Sequence, residues 1–288
     1  MDSVRIPVAG GLTLAADVAG PRGGPNVVLL HGGGQTRHSW AGAVAALADA
    51  GYRVTNVDAR GHGESDWSDT GAYHLDDRAD DLRHVVAGLE GPYALVGASL
   101  GGGTSIHATA QGLRPRAMIL VDVVPNAEVA GVSRIRDFML AHPSGFESID
   151  EAADAVARYN PDRPRPADPS GLRRNLRERE DGRLYWHWDP KIITAPGALR
   201  ATLAQSAARL ADIEGLNVLL VRGLKSDVVS DAGVAAFRAM LPTLEVADVV
   251  GASHMVAGDR NDAFLDATKA YLERHMPITA MRTVEQHR

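Results

Sequence analysis

Residues 93–103 read YALVGASLGGG. The first four are a short apolar run, the signature of a strand buried on both faces. From Leu100 to about Gln111 the chain reads as helix. Between the two lies Gly97-Ala98-Ser99-Leu100-Gly101, a G-x-S-x-G turn from strand to helix. In a nucleophile elbow the serine sits on such a sharp turn, and its neighbours must be small because the backbone is crowded. The helix that follows also favours negative charge developing near its N-terminus. In a chain with 30 glycines the bare pattern arises easily by chance. Its position between a buried strand and a helix is what carries weight against a merely structural serine in a tight turn.

The rhythm continues on both sides. Ser3–Val8 and Leu12–Val18 alternate apolar and polar residues around Gly10-Gly11 and read as a hairpin. Asn26–Leu30 (NVVLL), Tyr52–Val57, Ala117–Val121, Leu216–Val221 and Leu244–Val250 read as further strands. Helical segments separate them at Ala41–Ala50, Leu75–Leu89, Ala232–Met240 and Asn261–His275. Strands alternating with helices predict an α/β fold with a mostly parallel central sheet of about eight strands, flanked by helices. Residues 126–205 break the pattern. They hold the proline-rich NPDRPRPADPSG and the aromatic RLYWHWDP, and they read as a mainly helical cap inserted into one core. The expected organisation is therefore a core of residues 1–125 and 206–288 with a cap at 126–205.

Composition narrows the function. The 288 residues contain no cysteine, which excludes disulfides, a thiol nucleophile, Cys-ligated zinc and iron–sulfur clusters. A net charge of -6 argues against a general nucleic-acid binder. No apolar run reaches the roughly 18 residues of a membrane span. The opening MDSVRIPVAGG has no basic region followed by an apolar stretch. The expectation is a cytoplasmic enzyme that contacts neither membrane nor nucleic acid, with no assignment of oligomeric state.

Three further signals join the elbow. His31-Gly32-Gly33-Gly34 follows the strand NVVLL, and glycines there let backbone N–H groups approach a ligand. An acyl-transferring serine needs two such donors for its oxyanion. The amides of Leu100 and Gly33 are the expected pair, with His31 and Gly34 near the substrate. No Gly-Lys-Ser/Thr follows, and the third glycine of a dinucleotide fingerprint is missing, so a nucleotide loop is discounted. His254, in GASHM after a late strand, is the candidate base. Two aspartates follow strands and could orient it: Asp122 and Asp227. Asp227 is favoured by its place after the penultimate strand in the order Ser…Asp…His, and Asp122 reads alternatively as a turn cap.

Taken together, HGGGQTRHSW, VDARGHGESDW, VGASLGG, RGLKSD and GASHM resemble the α/β-hydrolase superfamily in order and position, over about 200 residues outside the insertion. HGGGQTRHSW is most similar to the cofactor-free bromoperoxidase/esterase branch, and VDARGHGES also to epoxide hydrolases. The resemblance implies the α/β-hydrolase fold, Ser99 as nucleophile, Asp227 as acid and His254 as base. It implies an oxyanion hole from Gly33 and Leu100, a cap at 126–205, and no cofactor or metal. Epoxide hydrolases and haloalkane dehalogenases carry aspartate at the elbow. Serine here points to acyl chemistry.

The leading expectation is a serine esterase for a small carboxylic ester, with a perhydrolase or a lactonase as alternatives and a non-catalytic ligand sensor as a further one. Trp186 and Trp188 are expected in the pocket, with packing against the core as the competing reading. Residues 158–183 hold 8 arginines and 5 acids, which suggests an entrance for a carboxylate-bearing monoester. Against this, arginine outnumbers lysine 27 to 3 along the whole chain, and a solvated charged face explains the stretch as well.

Overall fold

The computed structural model describes residues 1–161, 163–193 and 198–278. The chain opens with β1 (Asp2–Pro7) and β2 (Thr13–Ala19), an antiparallel hairpin that turns through Ala9–Gly11. The alternating half then runs β3 (Asn26–Leu30), α1 (Ala41–Asp49), β4 (Arg53–Val57), α2 (Leu75–Ala87), β5 (Tyr93–Ala98), α3 (Leu100–Ala110) and β6 (Ala117–Val121). The insertion contributes α4 (Val129–Leu140), α5 (Ile149–Tyr159), β7 (Leu176–Glu178), β8 (Leu184–Trp186) and α6 (Ala198–Arg209). The chain then returns through β9 (Asn217–Gly223), α7 (Asp231–Met240), β10 (Glu245–Val249), α8 (Val256–Asp259) and α9 (Asn261–His275).

Eight strands form one sheet in the order β1-β2-β4-β3-β5-β6-β9-β10. The β1–β2 and β2–β4 pairs are antiparallel, and every pair from β4 to β10 is parallel. Period-two alternation sends successive side chains to opposite faces. Val28 and Leu30 pack with Leu82, Ile106 and Phe237 of α2, α3 and α7, while Val27 and Leu29 pack with Leu47 of α1 and Phe264 and Leu272 of α9. All five residues of β3 and of β6 are buried, as the apolar runs predict. Registers align the strand ends: Leu30 lies opposite Gly97, Ala98 opposite Val121, Val121 opposite Val221, and Gly223 opposite Val249. The loops that leave these C-terminal ends therefore share one edge, where open α/β sheets bind ligands.

The insertion differs from a purely helical cap. β7 and β8 form a small antiparallel hairpin, with Leu176 opposite Trp186. Three-residue strands are too short to leave a readable alternation in sequence. This hairpin packs with α4 and α5 around Met139, Phe146, Leu184, Trp186 and Trp188 as a separate apolar cluster. α6 crosses the expected boundary at 205. Its Leu203 and Ala207 pack into the core cluster with Ile106 of α3. No helix among the described residues is long and apolar enough to cross a membrane.

Candidate active site

Ser99 stands between β5 and α3 with φ 43 and ψ -106, a left-handed conformation rare for a residue with a side chain. Its N–H donates to Val121 O at 3.1 Å, and its carbonyl accepts from Gly103 N at 2.8 Å. The turn depends on glycine at two points. A Cβ on Gly97 would sit 2.6 Å from the Gly101 backbone, and one on Gly101 would sit 2.4 Å from Leu30 O. The helix start is thereby pressed against the ends of β5 and β3. Ser99 Oγ makes no hydrogen bond to another described residue.

His254 meets Asp122 rather than Asp227. Its Nδ1 lies 2.7 Å from Asp122 Oδ2. A carboxylate oxygen accepts, so Nδ1 carries the ring proton and Nε2 is left as the basic nitrogen. Asp122 is fully buried and holds φ 49 immediately after β6. Gly223 N–H donates to its Oδ1 at 3.0 Å and Ser226 Oγ to its Oδ2 at 2.5 Å, so the carboxylate is held from three sides. Asp227, favoured from chain order, is occupied elsewhere. Arg134 of α4 binds it through two parallel hydrogen bonds of 2.7 and 3.0 Å. That guanidinium is the main cause holding Asp227 below the usual carboxylate range, and His254 acts on it weakly. Ser226 stands within RGLKSD, but its bond to Asp122, 104 residues away, was not legible in the sequence.

The glycine loop after β3 presents its amides selectively. Gly32 N–H donates to Gln35 Oε1 at 3.0 Å, and Gly34 N–H to His62 Nε2 at 3.3 Å. The amides of Gly33 and Leu100 make no hydrogen bond among the described residues. The Gly32 carbonyl accepts from His31 Nδ1 at 2.8 Å and from Gln35 N at 3.1 Å. In a planar trans peptide the N–H of Gly33 points opposite to that carbonyl, so His31 and Gln35 set its direction. A Cβ on Gly32 would lie 3.6 Å from Ser99 Cβ, which places the loop beside the serine.

His31 is thus a buried scaffold residue. It belongs to a lattice with His62 and His187, with ring centroids 5.0 and 5.9 Å apart along the series. His187 accepts from Gly63 N–H through Nδ1 at 2.7 Å and reaches Gly34 O through Nε2 at 3.3 Å. The Gly34 residue is therefore held at its N–H by a core histidine and at its carbonyl by an insertion histidine. Burial, reinforced by the neighbouring imidazole of His31, pulls His187 down to about 3. Burial likewise lowers His31 and lowers His62 well below its usual value. His62 and His187 are therefore neutral at neutral pH.

Trp186 and Trp188 were expected in the pocket. They stack on each other at 5.0 Å and 13° inside the insertion cluster, and Trp188 Nε1 donates to Met139 O at 3.3 Å. Besides His187, the insertion brings Met139 to the glycine loop, its sulfur 3.7 Å from where a Cβ on Gly33 would lie. A cavity of about 240 Å³ does adjoin His254, between Gln35, Ser39 and Trp40 on one side and Met255–Gly258 on the other. Gln35 bridges these walls, donating to Met255 Sδ at 3.0 Å.

A serine raised on a strand-to-helix turn at the C-terminal edge of a parallel sheet, with a histidine–aspartate pair on the same edge, is the arrangement of the α/β hydrolases. Residues 27–267 match the Alpha/beta hydrolase family, and the chain belongs to that family. It is 29% identical over 261 residues to Esterase Rv0045c of Mycobacterium tuberculosis, a match spanning 86% of this chain and 83% of that protein. It is 31% identical over 250 residues to 2-(acetamidomethylene)succinate hydrolase of Mesorhizobium japonicum, spanning 81% and 82%. A crystal structure of E-2-(acetamidomethylene)succinate hydrolase superposes with a TM-score of 0.83 at 27% identity, covering 94% of this chain and 99% of that one.

Proposed function

We propose that this protein is a serine hydrolase that cleaves a small carboxylic ester through an acyl-enzyme. The observation that carries the reading is the convergence on one sheet edge of Ser99 at φ 43 and the 2.7 Å His254–Asp122 pair. Ser99 Oγ attacks the carbonyl carbon while His254 Nε2 takes its proton. The tetrahedral oxygen accepts from the unengaged amides of Gly33 and Leu100. As the carbon–oxygen bond breaks, His254 returns the proton to the leaving alcohol. Water, activated by the same imidazole, then releases the acid. Asp122 fixes the tautomer and offsets the imidazolium charge. Residues 126–205 act as a cap that covers this edge and excludes water.

The similarity to a protein named as an esterase supports ester cleavage. The similarity to 2-(acetamidomethylene)succinate hydrolase favours a second reading, in which the scissile bond is the amide of a small dicarboxylic acid derivative. The experiment is a panel of matched activated esters and amides, with fluorophosphonate labelling followed by intact mass. Wild type should turn over one bond class and take up one label, and Ser99→Ala should lose both, with turnover down by roughly 10⁴–10⁶-fold. Label on another residue, or full activity in Ser99→Ala, would reject the mechanism. Acylation without turnover would instead make the protein a sensor.

A further inference from the structure

We infer that the cavity beside His254 receives a carboxylate carried by the substrate, and that Arg163 is the residue that selects for it. This rests on the reading of Ser99 and His254 as the reacting pair. The cavity measures about 240 Å³ and runs from His254 to Arg163. Ala98 and Val121, the residues just before Ser99 and Asp122, form part of its floor. Among the described residues that line it, Arg163 is the only one with a permanent charge, and none is Asp or Glu. The other polar lining groups include the exposed Ser39 hydroxyl. A guanidinium and a hydroxyl in one small chamber with no acid in its described lining offer donors to an anionic group.

Arg163 is the one arginine of the 158–183 stretch among the described residues that line this cavity. Arg165 pairs with Asp150 and Asp154, Arg173 with Glu178, and Arg183 with Glu147. Arg163 has no carboxylate partner among the described residues. Its Nη2 donates to Gly258 O at 2.5 Å, which pins the side chain across the cavity rim and leaves the remaining N–H groups for a ligand. The nearby acids are engaged: Asp122 with His254, Asp227 with Arg134, and Asp259 with Ser253. The described lining of the cavity thus carries one guanidinium and no carboxylate to balance it, and a substrate carboxylate would supply that balance. The cavity volume suits a carboxylate on a short carbon chain, so the fitting substrate is the half-ester, or half-amide, of a short dicarboxylic acid.

The test compares p-nitrophenyl hemisuccinate with neutral p-nitrophenyl butyrate in wild type, Arg163→Ala, Arg163→Lys and the exposed control Arg174→Ala. Arg163→Ala should lower kcat/KM for the half-ester by about 10–100-fold, chiefly through KM, and change the neutral ester by less than about twofold. Arg163→Lys should fall between, and Arg174→Ala should match wild type. Equal losses on both esters, or none on the half-ester, would overturn the assignment. Calorimetric titration with succinate is independent of turnover. Binding that Arg163→Ala abolishes supports the site even if neither ester is cleaved, an outcome that would sink only the esterase reading. Binding equal in both proteins, or absent from both, counts against the site.

Discussion

Ser99 at φ 43 and Asp122 at φ 49 both hold a backbone conformation that side chains disfavour, at a cost of roughly 1–3 kcal/mol each. Glycine tolerates that region freely. Ser99→Gly should therefore unfold in urea about 1 kcal/mol later than Ser99→Ala, both being inactive. Equal stabilities would show that the elbow is relaxed. Asp122→Asn should reduce kcat by about 10⁴-fold by disturbing the His254 tautomer. Asp227→Asn should cost less than about tenfold, because Arg134 rather than His254 is its partner. Matching losses would reassign the acid. Ser99 and His254 were legible because each stands in a short motif beside a strand. The choice between the aspartates was not. It turns on the left-handed φ of Asp122 and on Arg134, 93 residues away from Asp227 in the chain.

At the scale of elements, the insertion and the glycine loop are joined through neutral histidines. His187, about 3 in the fold against an ordinary 6.5, binds a proton more readily once the chain unfolds. Its contribution is complete above about pH 6.5 and is lost as pH falls toward 3, at up to about 1.4 kcal/mol per pH unit. His187→Gln can keep both hydrogen bonds without titrating. Its stability, followed by denaturant unfolding from pH 7 to 4.5, should fall less steeply than that of wild type. Parallel curves would mean that His187 does not hold the two elements together in its neutral form. The sequence revealed the sheet well, since β3 and β6 are continuous apolar runs. It concealed this join, because His187 sits in RLYWHWDP among aromatics that pack the insertion, with nothing to indicate Gly34 as its partner. The β7–β8 hairpin was equally hidden, being held by register with Phe146 and by tertiary packing rather than by local alternation.

At the scale of the whole molecule, one buried ionic cluster ties the antiparallel edge to the site. Arg37, beside the glycine loop, binds Asp17 of β2, Asp58 after β4 and Glu64. Burial alone would raise the Asp58 carboxyl, but His31, the amides of Arg37 and Glu64, and the Arg37 charge together hold it below the usual range. Asp58→Ala should cost about 2–4 kcal/mol in unfolding free energy, since it leaves Arg37 Nη1 and the amides of Arg37 and Glu64 without their acceptor while Asp17 and Glu64 still hold the guanidinium. Glu178→Ala, which removes the exposed partner of Arg173, should cost less than about 1 kcal/mol. A small loss at Asp58 would show that water reaches the cluster. The two aspartates at neighbouring strand ends also bear on how such a chain descends with modification. A lineage carrying both can pass the orienting role from the end of one strand to the end of the next without an ancestor that lacks it, and Arg134 keeps the second copy out of service. Releasing Asp227 by Arg134→Leu in an Asp122→Asn background should restore part of the lost turnover, a laboratory replay of that inheritance.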